Sequence, residues 1–106
     1  MIYLASPYSD PDPAVVLFRY QETRRYTAER IYEGYAIFSP IVHCHELAMN
    51  YLLPTEFSFW QTYNQALLRQ SLALWVLQLD GWENSLGVVN EIKFAQKYNI
   101  PVSYVK

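Results

Sequence analysis

The residues of this chain best spaced for chemistry lie between an apolar run and a helix, in Asp80-Gly81-Trp82-Glu83-Asn84-Ser85-Leu86-Gly87-Val88-Val89-Asn90-Glu91. Asn84 is expected to cap the helix, so that its first backbone N–H groups and the positive end of its dipole welcome an anion such as a phosphate. Gly87 keeps that opening free of a side chain. Glu91 follows four residues after Gly87 and seven after Asn84, so all three project from nearly one side of the helix, with Glu91 about 10 Å deeper. A phosphate at the mouth and a carboxylate further in would bracket a sugar. A carboxylate so placed suits an oxocarbenium-like transition state, either as nucleophile at the anomeric carbon or as a stabiliser of its charge. Asp80 opens the turn and either shapes it or joins the site.

These residues need a scaffold, and the apolar pattern predicts one. Leu72 to Leu79 reads as a strand buried on both faces, and in an open α/β sheet the crevice at a strand's carboxyl end is where ligands bind. Ile2 to Ser6 is a first strand that opens into the turn Ser6-Pro7-Tyr8-Ser9. Asp12 and Pro13 are the N-cap and first position of a helix running to Gly34, with Val16, Tyr20, Thr23, Thr27 and Ile31 as its inward seam. Arg19, Glu22, Arg25 and Glu29 are expected outside that seam, pairing at helical spacing. Tyr35 to Ser39 reads as a second strand, Ile41 to Glu46 as a loop, and Leu47 to Leu53 as a short helix. Thr55 is expected to cap a helix through Gln70 with Trp60, Tyr63, Leu67 and Leu68 inside. Asn99 is expected to take a left-handed cap before a last strand, Val102 to Val105. Strand and helix alternate, which predicts a single α/β domain over residues 1–106: a compact three-layer, mostly parallel sheet of flavodoxin-like or Rossmann-like form.

That order brings Ser6 to Ser9, the loop after Ser39, and Asp80 to Glu91 to one sheet edge. Ser6, Tyr8, Ser85, Gly87 and His43 are the expected substrate contacts beside Glu91 and Asp80. His43-Cys44-His45-Glu46 suggests a metal, but alternate residues of an extended loop would aim both imidazoles one way without a third well-placed ligand, so no metal is expected. Neither GxGxxG nor GxxxxGK[ST] can be written with the three glycines, which disfavours dinucleotide and P-loop sites and leaves no cofactor expected. A formal net charge of -2 gives no electrostatic footprint for a nucleic acid polymer. The opening residues lack a charged leader, and no apolar run approaches the about 20 residues of a membrane span, so a soluble, cytoplasmic protein is expected. With 17% aromatic residues there is more ring surface than one small core uses, and a homodimer or higher homo-oligomer is expected.

Ser85-Leu86-Gly87-Val88-x-x-Glu91 resembles the phosphate-binding and nucleophile segment of the 2'-deoxynucleoside 5'-phosphate N-hydrolases, within the nucleoside 2-deoxyribosyltransferase-like superfamily. Ile2-Tyr3-Leu4-Ala5-Ser6-Pro7-Tyr8 is similar to that superfamily's first strand and nucleoside-binding turn. The resemblance implies that Glu91 attacks C1' of a nucleoside or nucleotide, that Ser85 and the Gly87 N–H hold a 5'-phosphate, and that Tyr8 lines the sugar or base pocket. Asp80 would bind sugar hydroxyls or orient Glu91, and oligomers would complete one another's sites. The expected activity is cleavage of the N-glycosidic bond of a (deoxy)nucleoside 5'-monophosphate or nucleoside. The alternatives are a deoxyribosyltransferase, a non-catalytic nucleotide-binding or sensor module, and an interaction domain of a larger complex. One departure stands out: the family commonly carries a second acid on the helix before the third strand, where this chain has Asn64, Arg69 and Ser71.

Overall fold

Alternation along the first strand decides how the sheet is filled. In the computed structural model, which describes residues 1–106, β1 (Ile2–Ala5) turns Tyr3 and Ala5 into a cluster with Leu68, Leu74, Val76 and Val88. Leu4 points the other way, to Tyr26 and Leu77. On one side β1 pairs with β2 (Ile37–Phe38), on the other with β3 (Ala73–Leu77), which in turn pairs with β4 (Val102–Val105). The order is β2-β1-β3-β4 and every pair is parallel.

The helices α1 (Pro13–Tyr32), α2 (Pro40–Tyr51), α3 (Phe57–Arg69) and α4 (Leu86–Lys97) fill the crossovers. Tyr26 carries α1 onto one face of the sheet, while Leu68, Val88 and Ala95 carry α3 and α4 onto the other. This is the three-layer α/β arrangement of flavodoxin-like and Rossmann-like folds. Full burial of a side chain such as Leu68 or Val88 contributes about 1.5–3 kcal/mol of transfer free energy. No helix is long and apolar enough to cross a membrane.

Several boundaries differ from the sequence expectation, each for a local reason. The second strand shrinks to two residues, because Ser39 is a helix N-cap whose side chain accepts from the Val42 N–H at 3.2 Å and Pro40 takes the first helical position. Ile41 to Glu46 is therefore helix rather than loop. Glu56, not Thr55, stands at the N-cap of α3, and it makes no side-chain cap bond. Ser85, not Asn84, caps α4, because Asn84 closes a 3-10 turn over Trp82–Asn84. In α1 the inward stripe is Arg19, Tyr20, Thr23, Tyr26 and Thr27, so Arg19 moves in and Ile31, 56% exposed, moves out. Arg25 does pair with Glu22 and Glu29 on the outer face.

Candidate active site

The chain leaves β1 toward β2 on one side of the sheet and later returns to β3 on the other, so the loops at the carboxyl ends of these two strands diverge. That switch point is the expected ligand crevice of such a sheet. A cavity of about 580 Å³ opens there, lined by side chains from the Ser6 to Ser9 turn, from α2, from the start of α3 and from the start of α4. Its volume falls in the usual range for small-molecule sites.

Glu91 forms its floor. Tyr3, fully buried on β1, donates its phenol O–H to Glu91 Oε2. Burial pushes the Glu91 carboxyl up from 4.5 to about 7, and the Tyr3 hydrogen bond pulls it partly back. The Tyr3 phenol is driven well above its ordinary value by its own burial and by the neighbouring carboxyl. Cys44, on the α2 side of the same cavity, is pushed up to about 12 by burial and by Glu91. It stays a thiol near neutrality, the less nucleophilic of its two forms.

A second hydrogen-bonded pair lies on the wall. The Tyr8 hydroxyl is 2.6 Å from His45 Nδ1, and the His45 ring is stacked on Tyr20 at 3.8 Å between centroids. Burial raises the Tyr8 phenol; burial, aided by Arg24 and opposed by Glu46, lowers the imidazole. Both members are then neutral near pH 7 with one proton between them. Ser6 lines the cavity, its hydroxyl 3.2 Å from that of Thr23. Because Thr23 gives its own proton to the Arg19 carbonyl at 2.8 Å, Ser6 donates to Thr23 and keeps its lone pairs for the cavity. Ser85 lines the mouth and accepts from the Val88 N–H at 3.3 Å, leaving its O–H free; Gly87 lies beside it.

Two expected site residues lie elsewhere. His43 and His45 sit two positions apart on a helix, hence roughly 200° apart around its axis, and cannot face the same way. His45 faces the cavity, whereas His43 turns outward to the Tyr63 hydroxyl, 2.9 Å from Nε2. Asp80 is exposed and does not line the cavity; its contribution is its carbonyl, which accepts from Arg19 Nη2 at 3.0 Å. Arg19 Nη1 donates to the Ser9 carbonyl at 2.9 Å, so one guanidinium ties together the two turns that border the cavity. Gly81, at φ 88°, belongs to this tie, since a Cβ there would stand 2.5 Å from Arg19 Nη2.

His45 takes the place expected of His43, and residues that sequence reasoning did not place in the site complete it: Tyr3, Glu56, Phe57, Trp60 and Asn64. Trp60 and Phe57 are the apolar faces of the α3 wall. The buried Asn64 Oδ1 has no hydrogen-bond partner and faces the same cavity as an open acceptor. The expectation that α3 buries Trp60 and Leu68 holds, but Tyr63 remains 45% exposed. A protein-family model described as a domain of unknown function, DUF1937, matches residues 1–106. No curated protein matches the chain.

Proposed function

The chain belongs to the DUF1937 family, and for it we propose cleavage of the N-glycosidic bond of a nucleoside or nucleoside 5'-monophosphate, with Glu91 as nucleophile. The observation that carries this reading is the Glu91 carboxyl on the floor of a nucleoside-sized cavity, held by a buried tyrosine and with its pKa raised to about 7. A carboxylate so desolvated is a better nucleophile than one in water, and its partner hydroxyl fixes the attacking oxygen.

In this reading the ionised Glu91 attacks C1', the C1'–N bond breaks, and its electron pair goes to the base. The proton that the departing base needs comes from the Tyr8 hydroxyl, whose oxygen His45 then supports by hydrogen bonding through Nδ1. Water attacks C1' of the glycosyl ester, returns its proton to Tyr8 and frees Glu91; a second base in place of water would give transfer instead. Trp60 and Phe57 offer faces for the base, and Asn84 and Ser85 offer polar groups for the sugar. Met49, Tyr51, Leu52 and Phe59, all at least half exposed on α2 and α3 or between them, support a homodimer that covers them. A cytoplasmic location accords with a nucleoside substrate.

Incubation with a panel of nucleosides, 2'-deoxynucleosides and their 5'-monophosphates should release free base, read by chromatography. Glu91→Gln should lower that release by about three orders of magnitude or more. Binding without release, unaffected by the substitution, would replace the enzyme with a sensor.

A further inference from the structure

We infer that the cavity takes an uncharged, unphosphorylated nucleoside in preference to its 5'-monophosphate, because Phe57 faces Gly87 at the α4 N-terminus, where the phosphate would have to sit, and Glu56 adds a carboxylate to the lining of the same cavity. The inference rests on the N-glycoside reading above and narrows its substrate.

The apolar ring is the first obstacle. A Cβ built on Gly87 would lie 3.6 Å from Phe57 Cδ2, in ordinary van der Waals contact, so an apolar ring edge stands about one methyl group away from the turn whose N–H groups would face the anion. The second obstacle is charge. Glu56 occupies the N-cap position of α3 without making a cap bond, is exposed, and lines the same cavity, so its carboxylate is unengaged at the rim. Glu91 is a second carboxylate on the floor, and no Lys or Arg lines the cavity. Two cations of α1 approach its walls, and neither lines the cavity. Arg19 donates to the carbonyls of Ser9 and Asp80 with the Asp10 carboxylate 4.0 Å away, and Arg24 lies over the Tyr20 ring at 5.2 Å.

A phosphate dianion brought into a cavity that holds two carboxylates and no cation would lose water and gain no countercharge, and a helix dipole alone is a small compensation. A neutral 5'-hydroxyl meets none of these penalties. It can accept from the Ser85 O–H or exchange hydrogen bonds with the Asn84 amide.

The test compares kcat/KM for base release from 2'-deoxynucleosides, ribonucleosides and the matching 5'-monophosphates, on the wild-type chain and on Glu56→Lys. The nucleosides should be favoured at least tenfold, and Glu56→Lys should reduce that preference at least fivefold. Better turnover of the monophosphates, or a preference unmoved in Glu56→Lys, would overturn the inference while leaving the N-glycoside reading intact. Equilibrium binding of one nucleoside and its monophosphate to Glu91→Gln separates the remaining outcomes. Tighter binding of the nucleoside without turnover by the wild type keeps the substrate preference and removes the activity; binding of neither removes both.

Discussion

The cavity has a floor and a wall of different construction. Tyr3 and Glu91 stand on β1 and α4, backed by Ala5, Leu74, Val76 and Val88, none of which reaches solvent. His45, Glu56 and Phe57 stand on α2 and at the start of α3, and the segment from Leu52 to Glu56 that joins these helices is exposed throughout. The floor shares its residues with the core, so a change there is felt by the whole fold. The rim of the wall, from Leu52 to Glu56, is exposed and can vary at little cost to the sheet. Such a division puts the reacting carboxyl on the rigid part and substrate choice on the adaptable part.

The sharpest test of that division sets one tyrosine against the other. Glu91 attacks in its ionised form, so kcat/KM should rise with pH through about 7 and level off above it. Tyr3→Phe removes the hydrogen bond that holds the carboxyl down, so the rising limb should move to higher pH and activity at pH 7 should fall about 10- to 100-fold. Tyr8→Phe should cost a similar factor on ordinary purine nucleosides without moving that limb. On a 7-methylpurine nucleoside, whose base departs without needing a proton, Tyr8→Phe should recover most of the loss and Tyr3→Phe should not. Equal recovery in both variants would erase the distinction between floor and wall.

A smaller effect tests the floor through stability. Glu91 titrates near 4.5 unfolded and about 7 folded, so folding is unpenalised below the lower value and loses stability as pH rises to the higher one. Glu91→Gln keeps an acceptor for Tyr3 and removes the charge. It should therefore stabilise the protein by about 1–3 kcal/mol at pH 8 and by much less at pH 4, measured by urea denaturation.

The same two regions differ in how far the sequence discloses them. The parallel sheet follows from alternation, and the start of α1 at Asp12-Pro13 and the left-handed Asn99, at φ 57°, follow from residues acting locally. Glu91 is legible because the anion-type turn and the carboxylate lie on one helix. Tyr3 is not, because 88 residues separate it from Glu91 and only strand register and the docking of α4 join them. Arg19 carries a charge that pattern alone sends outward, yet its guanidinium serves carbonyls from two distant turns. In the wall a local signal is present as well: Ser39-Pro40 is the same cap-then-proline pair as Asp12-Pro13, yet after an apolar run it reads as a strand end followed by an extended loop. His43 and His45 exchange places in the site for that reason alone.

The weakest expected effect lies where the chain leaves α2 for α3. Leu52 follows α2 in left-handed backbone at φ 57°, 92% exposed, where a side chain gains almost no burial and its Cβ crowds the main chain. Glycine is at home in that conformation, so Leu52→Gly should relieve the strain, although it also frees the unfolded chain. The two effects oppose, and the positive φ leaves a net gain of about 0.5 kcal/mol, visible as a rise in Tm of a few degrees at most. Because the added freedom falls between α2 and α3, it should alter the preference between nucleoside and monophosphate before it alters the pH limb set by Tyr3 and Glu91. A shift in that limb would mean that the floor leans on the wall.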